Sequence, residues 1–491
     1  MQNDSASHFD VLIVGAGISG IGAAYHLTQQ CPGMSFVVLE AQAGFGGTWR
    51  THRYPGIRSD SDLHTFGYRF KPWIGPPIAS AAQIQSYLGE VIEDNHLGPR
   101  IRYGHEIRSA RWSSNENLWT IEAIRSDGGE PVRFTANFLW MCQGYYQHAQ
   151  GYTPAWDGLE NFKGRVIHPQ TWPQDASLTG KNVVVIGSGA TAATLIPAIA
   201  ADCAYLTMLQ RSPTYFITGR NAIVIADELR ALGIDETWIH EIVRRKMLSE
   251  QAIFTQRAFA EPDVVKQELL AMVRASLPPD YDVATHFTPR YRPWRQRIAF
   301  VPDADLFKAI GSGKASVVTD EIDKFVETGI LLKSGKLLAA DVVITATGFN
   351  LSVLGDIPFT IDGKPVDFAD TVTYRGTMFT GIPNMVWVFG YFRFPWTLRA
   401  DLIADFTCRL LKHMRARGAR RVTPRLRPED RDMPLLPWVD PENFNPGYLM
   451  RGRQRLPKRG DKPEWQHNQD YWAEKDQFPA ADLDDGALIY E

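Results

Sequence analysis

Two glycine-rich loops, each directly after a short apolar run, constrain the fold of this 491-residue chain more than any other feature. The first loop, GAGISG, follows the run FDVLIV at 9–14 and supplies Gly15, Gly17 and Gly20. The second loop, GSGATA, follows the run KNVVVI at 181–186. A buried parallel strand, a tight glycine turn and a helix N-terminus together form a binding site for the pyrophosphate of a dinucleotide. The two units therefore predict an α/β fold with two Rossmann-like dinucleotide-binding domains.

The residues that end the second strand of each unit differ in charge. In the first unit the apolar run 35–39 ends at Glu40, where a carboxylate accepts hydrogen bonds from ribose hydroxyls and repels a 2′-phosphate. In the second unit the corresponding position holds neutral Gln210, which Arg211 and Ser212 follow. A guanidinium can clamp a 2′-phosphate. The first site is therefore predicted to hold the ADP part of FAD or NAD. The second is predicted to prefer NADPH to NADH, with Arg211 as the discriminating residue.

Composition excludes several other classes of protein. A net charge of -3 gives no reason to expect binding to nucleic acid or to an anionic membrane. The N-terminal stretch MQNDSASHFD lacks the pattern of a signal peptide, and the apolar run 183–201 contains the second glycine loop. We therefore expect a cytoplasmic monomer or homodimer. A disulfide framework, a metal site and a dithiol redox centre are all disfavoured by the wide spacing of the four cysteines, Cys31, Cys142, Cys203 and Cys408.

Two longer motifs point to one family. The segment FKGRVIHPQTWP has the spacing F-x-G-x-x-x-H-x-x-x-W-P, set by Phe162, Gly164, His168 and Trp172. A loop near the first glycine turn fills every specified position of [A/G]-G-x-W-x-x-x-x-[F/Y]-P-[G/M]-x-x-x-D, with Gly46, Gly47, Trp49, Tyr54, Pro55, Gly56 and Asp60. Over roughly residues 9 to 410 the chain resembles the type I Baeyer–Villiger monooxygenases. Its PWRQR and VPDADLF stretches are most similar to the ethionamide monooxygenase subgroup.

The resemblance implies an enzyme that uses FAD, NADPH and O2. In this family NADPH reduces FAD, and the reduced flavin reacts with O2 to give a C4a-peroxyflavin. That intermediate attacks a small ketone, and the product is an ester or a lactone. The same intermediate oxidises thioethers to sulfoxides. The protein supplies placement and charge, while the cofactors supply the redox chemistry.

The resemblance also implies roles for particular residues. Arg297 takes the place of the family's catalytic arginine, and Asp60 orients it. Many relatives have a lysine before that arginine, where this chain has Gln296, so Arg211 is expected to carry more of the NADPH preference. His168 is expected to gate domain motion. The residues expected to contact the cofactors are Gly15, Gly17, Ser19, Gly20, Glu40, Gly47, Thr48, Trp49, Arg58, Asp60, Ile107, Gly187, Ser188, Gly189, Ala190, Thr191, Arg211, Ser212 and Trp396.

The order of the motifs predicts that the chain crosses twice between the two domains. The strand-like run DVVITATGFN at 341–350 is expected to re-enter the FAD domain. An aromatic-rich stretch, with Tyr391, Phe392, Phe394 and Trp396, is expected to line the substrate pocket. The expected divisions are an FAD-binding domain at 1–150 and 341–491, the latter ending in a C-terminal wrap, an NADP-binding domain at 151–217 and 288–340, and a helical insertion at 218–287.

Three other classes compete with this interpretation. A flavin-containing N- or S-monooxygenase shares both glycine loops, but usually has tyrosine where this chain has Trp172-Pro173. A flavin disulfide reductase needs a CxxxxC pair near the first loop, which the sequence lacks. An NADPH-sensing flavoprotein without oxygenation would not need Arg297 and Asp60 together.

Overall fold

The first part of the chain builds most of a large mixed sheet. The computed structural model describes residues 7–491, so most of the N-terminal stretch considered for a signal peptide lies outside the described residues. The strands of this part are β1 (Ser7–Val14), β2 (Phe36–Leu39), β3 (Ile101–Arg102), β4 (His105–Ser113), β5 (Leu118–Arg125), β6 (Pro131–Met141) and β7 (Tyr146–Gly151). Its helices are α1 (Ile18–Gln30), α2 (Thr48–Thr51), α3 (Leu63–Phe66) and α4 (Ala81–Asp94).

The middle of the chain builds a second, smaller sheet and a group of helices. Its strands are β8 (Arg165–Ile167), β9 (Asn182–Ile186), β10 (Tyr205–Gln210), β11 (Phe216–Gly219), β12 (Ala299–Pro302), β13 (Ser316–Thr319), β14 (Ile322–Val326), β15 (Gly329–Leu332), β16 (Leu337–Ala339) and β17 (Val342–Thr345). Its helices are α5 (Ala190–Ile199), α6 (Val224–Ala231), α7 (Glu236–Ala260), α8 (Pro262–Ala275), α9 (Val283–Phe287) and α10 (Asp305–Gly311).

The last part returns to the large sheet and then covers it. Its strands are β18 (Phe349–Leu351), β19 (Phe359–Ile361), β20 (Lys364–Pro365), β21 (Thr373–Tyr374), β22 (Met378–Phe379), β23 (Met385–Trp387), β24 (Val422–Pro424), β25 (Leu436–Pro437), β26 (Lys458–Arg459) and β27 (Leu488–Tyr490). Its helices are α11 (Trp396–Arg417), α12 (Gly447–Gly452) and α13 (Tyr471–Gln477).

The large sheet has the strand order β20-β19-β4-β5-β6-β1-β2-β3, with β23 also beside β6. Strand β1 pairs in parallel with β2 and β6, and its residues Val11, Leu12 and Ile13 are fully buried. A strand covered on both faces requires a continuous apolar run, which explains the sequence before the first glycine loop. Helix α1 packs between this sheet and α11.

The small sheet has the order β13-β10-β9-β17-β8, and all of its strands are parallel. The predicted α/β fold with two Rossmann-like units is confirmed. One expectation was wrong, because the run 342–345 pairs with β9 and β8 in the small sheet and does not enter the large one. The chain crosses back only after this strand, through β18, which pairs antiparallel with β7.

A buried cation is among the contacts that attach the helices at 224–287 to the first part of the chain. Arg244 of α7 is 4% exposed, and its Nη1 donates to the carbonyls of His64, Thr65 and Gly67 at 2.8, 3.2 and 3.0 Å. These carbonyls end helix α3, where backbone acceptors lack partners within the helix. The contact fixes the inserted helices beside the loop that carries Asp60. Among the helices of residues 7–491, none combines the length and the apolar character that crossing a membrane requires.

Candidate active site

One cavity of about 1210 Å³ lies between the large and the small sheet. It exceeds the roughly 300–1,000 Å³ of a pocket for one small ligand, as a site for two dinucleotides and a substrate must. Both glycine loops reach it. The predicted site residues that line it are Gly15, Gly17, Ser19, Glu40, Gly47, Thr48, Trp49, Arg58, Asp60, Ile107, Gly189, Ala190, Thr191, Arg297 and Trp396.

The first glycine loop forms a narrow backbone cradle. Gly15 has φ +98°, and a Cβ there would lie 2.9 Å from the carbonyl oxygen of Cys142. A Cβ on Gly47, which has φ +54°, would lie 3.1 Å from Cα of Gly17. Helix α1 begins just after this point, so its N-terminal N–H groups face the space that the missing side chains leave open. The cradle therefore fits a pyrophosphate. Gly20 does not line the cavity, because it packs directly against the Gly15 carbonyl.

The carboxylate of Glu40 is held in place by two backbone hydrogen bonds. Its Oε2 accepts from the N–H of Ala16 and its Oε1 from the N–H of Gln42, both at 2.8 Å. Burial raises the pKa of Glu40, while these two backbone bonds lower it. A carboxylate has about four lone-pair sites, so both oxygens keep acceptor capacity toward the cavity. The residues thus fit the ADP part of a flavin cofactor.

Arg297 and Asp60 come together although 237 residues separate them. Nη2 of Arg297 donates to Oδ2 of Asp60 at 2.6 Å. The charge of Asp60 raises the pKa of Arg297, against the lowering effect of burial. Both side chains line the cavity, so this arginine is a fixed cation that faces the space for ligands.

The loop that carries Asp60 lies directly on the second glycine unit. Gly56 has φ +75°, and a Cβ there would lie 2.6 Å from Cβ of Ala198 and 2.9 Å from the carbonyl of Thr194, both in or beside α5. A second ion pair spans the same gap, since Nη2 of Arg58 donates to Oδ1 of Asp305 at 3.2 Å and Nη1 contacts Oδ2. The motif ending at Asp60 is therefore an interface between the two halves.

The second glycine loop reaches the cavity only in part. Gly187 has φ +129°, and a Cβ there would lie 2.3 Å from the carbonyl of Ala346, so glycine is required although this residue does not line the cavity. Ser188 is also set back, because its Oγ donates to the carbonyl of Ser212 at 3.2 Å and lies 2.9 Å from Oγ1 of Thr214. These contacts shape the turn behind the lining residues.

Arg211 lies at the end of β10, and its side chain is exposed. Within residues 7–491 it forms neither a hydrogen bond nor an ion pair, so its guanidinium is available to an incoming phosphate, although it does not line the cavity. Gln210 differs from Glu40 at the matching position. It is buried, and its Nε2 donates to the His286 carbonyl at 2.6 Å and to Thr319 Oγ1 at 2.8 Å. It joins neighbouring segments and does not face a ribose.

The Phe162 to Pro173 motif lies at the crossing between the sheets and does not line the cavity. His168 donates from Nε2 to the carbonyl of Gly348 at 3.1 Å, and its Nδ1 accepts from the N–H of Gln170 at 3.1 Å. The side chain of Gln170 donates to the carbonyls of Gln147 and His148 at 2.7 and 2.8 Å. The segment 162–173 thus bonds to both connections between the sheets, at 147–148 and at 348.

The packing of the other residues in the 162–173 motif accounts for the fixed spacing of that motif. Phe162 is buried against Phe325, with ring centroids 5.9 Å apart. A Cβ on Gly164 would lie 2.4 Å from the Phe162 ring. Trp172 packs on the core of the small sheet.

Three of the four residues in the aromatic stretch predicted to line the substrate pocket line this cavity. Tyr391, Phe394 and Trp396 line the cavity, and the indole N–H of Trp396 donates to Oγ of Ser19 at 2.8 Å. The prediction was wrong for Phe392. Its ring stacks on Phe444 at 4.9 Å, away from the cavity.

Sequence reasoning missed a group of tyrosines in the same cavity. Tyr145 and Tyr146 line it directly after Gly144, and Tyr448 reaches it from the C-terminal part. The first two follow the end of β6, and ligands in open α/β sheets bind beyond the carboxyl ends of strands. Their position after the end of a buried strand could therefore have indicated that they line the site. Nothing near Tyr448 in sequence indicates its role, because its neighbours in space come from other segments.

Comparison with known proteins decides the family. A family described as NAD(P)-binding Rossmann-like domain matches residues 13–73, and one described as flavin-binding monooxygenase-like matches residues 77–222. The FAD-containing monooxygenase EthA of Mycolicibacterium smegmatis is 46% identical over 95% of this chain and 93% of its own length. EthA of Mycobacterium tuberculosis is 44% identical over 98% of both. This chain belongs to the EthA family of FAD-containing monooxygenases.

Solved structures of other monooxygenases share this fold. An oxidised steroid monooxygenase bound to NADP is 25% identical, with a TM-score of 0.70 over 86% of this chain and 88% of that one. OTEMO in complex with FAD and NADP has a TM-score of 0.75 over 99% of this chain and 100% of its own, at 20% identity, which shows the fold. The EthA-family chain described here is an FAD-containing, NADPH-dependent monooxygenase of the Baeyer–Villiger type.

Proposed function

We propose that this monooxygenase inserts one oxygen atom of O2 into ketones to give esters or lactones, and that it also oxidises thioethers to sulfoxides. The observation that carries the proposal is the Arg297–Asp60 pair, joined at 2.6 Å and facing the cavity between the two nucleotide units. When bound, the flavin accepts hydride from NADPH and supplies activated oxygen. The large sheet, with the Gly15 cradle and Glu40, would hold FAD, and the small sheet would hold NADPH.

Arg297 would act through its fixed charge. Addition of an oxygen nucleophile to a ketone places negative charge on the former carbonyl oxygen, and a positioned cation in a water-poor site stabilises that charge. Asp60 orients the guanidinium and cannot replace it, because a carboxylate would repel the same charge. Neither residue needs to transfer a proton in this role.

The wall of the cavity supports an organic substrate with bulky apolar groups. Phe349, Tyr391, Phe394 and Trp396 line the same cavity as Arg297, so part of its wall is aromatic. Such a wall favours elongated aliphatic ketones and aryl sulfides over compact polar ketones. Arg211, exposed beside the second loop, would select the 2′-phosphate of NADPH.

The test is product analysis with the FAD-loaded protein, NADPH and oxygen. A linear ketone and an aryl methyl sulfide are added in separate reactions, and products are identified by mass. We expect an ester from the ketone and a sulfoxide from the sulfide. A sulfoxide without any ester from a panel of ketones would replace the proposal with a sulfide-specialised monooxygenase. NADPH consumption that yields only hydrogen peroxide with every substrate would contradict both activities.

A further inference from the structure

A group of three tyrosine hydroxyls lies in the cavity beside Arg297. The hydroxyl oxygens of Tyr145 and Tyr146 are 2.6 Å apart, and the ring centroid of Tyr448 lies 6.0 Å from that of Tyr145 and 5.8 Å from that of Tyr146. All three residues line the cavity, and all three lie near enough to Arg297 to interact with its charge. None of them belongs to the motifs that indicated the family.

Counting protons shows that this group has donors to spare. Three phenols carry three O–H protons, and each can donate once. The bond between Tyr145 and Tyr146 uses one proton, so one O–H of this pair and the O–H of Tyr448 remain. Within residues 7–491 neither of these O–H groups donates to another acceptor. A free donor in a largely apolar cavity is a site for an acceptor atom of a ligand.

The hydroxyls stay protonated and in place. Burial raises the pKa of Tyr145, Tyr146 and Tyr448, and the nearby Arg297 lowers it by less. The ring of Tyr145 stacks on Trp396, with centroids 5.1 Å apart and planes at 11°. The ring of Tyr146 packs against Phe349 at 4.4 Å. The aromatic wall therefore holds the rings of Tyr145 and Tyr146 in place.

We propose that a free O–H of this tyrosine group donates a hydrogen bond to the carbonyl oxygen of the ketone and so determines the preference between ketones and thioethers. This inference rests on the proposed ketone chemistry and names the residues that select for it. A ketone oxygen is a good acceptor, whereas a thioether sulfur is a weak one. A site built to hydrogen-bond a substrate group discriminates against an analogue without that group.

The test compares the triple variant with Tyr145→Phe, Tyr146→Phe and Tyr448→Phe with wild type, both loaded with FAD. Phenylalanine keeps the ring packing and removes only the hydroxyl. For the triple variant we expect kcat/KM for the ketone to fall about tenfold, the usual effect of one lost hydrogen bond, and kcat/KM for the sulfide to change less than about twofold. Tyr205→Phe is the matched control, because Tyr205 is 54% exposed and lies away from the cavity.

A binding measurement separates this inference from the proposed function. The dissociation constant of the ketone is read from the change in flavin absorbance on titration, and that of its methylene analogue, which lacks the oxygen, is read in the same way. We expect the triple variant to bind the ketone about tenfold more weakly than wild type does and the analogue equally well. If these binding results are obtained but the wild-type protein forms no ester, the proposed function is wrong and the inference is still supported. Equal losses for ketone, sulfide and analogue, or no loss for any of them, would overturn the inference.

Discussion

Replacing Asp60 with asparagine should uncouple NADPH use from oxygenation. The change keeps the size of the side chain and removes the charge that faces Arg297 at 2.6 Å. Hydrogen bonds between charged groups contribute about 1.5–3 kcal/mol. The two side chains are 37% and 31% exposed, so solvent screening reduces this to about 1–2 kcal/mol. A loss of that size in orienting the cation lowers the oxygenation rate about 5- to 30-fold.

The assay measures three quantities on one sample: the rate of flavin reduction by NADPH, the ester formed per NADPH, and the hydrogen peroxide released. We expect unchanged reduction, less ester and more peroxide, because Asp60 acts on the step after reduction. Asp175→Asn is the control, since it removes the carboxylate of a surface pair with Arg165 at 2.8 Å, outside the cavity. Wild-type ester yield from Asp60→Asn, or an equal loss from Asp175→Asn, would refute the reasoning.

Three further changes test other contacts. Arg211→Ala should raise KM for NADPH about tenfold and leave KM for NADH unchanged, because only NADPH carries the 2′-phosphate, and equal changes for both would remove Arg211 from that role. Gly56→Ala should lower the free energy of unfolding in urea by about 1–3 kcal/mol, since alanine is strained at φ +75° and its Cβ would lie 2.6 Å from that of Ala198. Burial lowers the pKa of His168 below its usual 6.5, although hydrogen bonds to the carbonyls of Gly348 and Tyr152 raise it. Below pH 6.5 the unfolded chain therefore binds a proton that native His168 resists, so stability should fall with pH, and His168→Asn should flatten that dependence in urea titrations from pH 7.5 to 5.

Sequence patterns predicted the elements whose formation depends on residues close together in the chain. The strand, glycine turn and helix units follow from apolar runs such as 9–14 and from glycines that only a close backbone approach requires. The run 342–345 was assigned to the wrong sheet, because a fully buried parallel strand looks the same in either one. Periodicity identifies a buried strand but does not name its neighbours.

The candidate site could be predicted where a motif encodes contact between distant segments. The spacing that ends at Asp60 reflects the fit of Gly56 against α5, so the motif carried information about an interface. Phe392 looked equivalent to Phe394, yet its ring points toward Phe444, since successive residues in an irregular segment face different directions. Tyr448 had no such motif, and only folding brings it to Tyr145.

The two ion pairs that span the gap between the sheets have opposite polarity. One loop contributes the cation Arg58 and the anion Asp60, which pair with Asp305 and Arg297 of the other half. In a recombinant of two related enzymes, these four residues should therefore function only as a matched set. A chimera that takes 53–60 from one parent and 297–305 from another inherits matched charges only if both parents have the same polarity at all four positions. Because exchange at one position pairs like charges, the four residues should be inherited together wherever halves of such enzymes are combined.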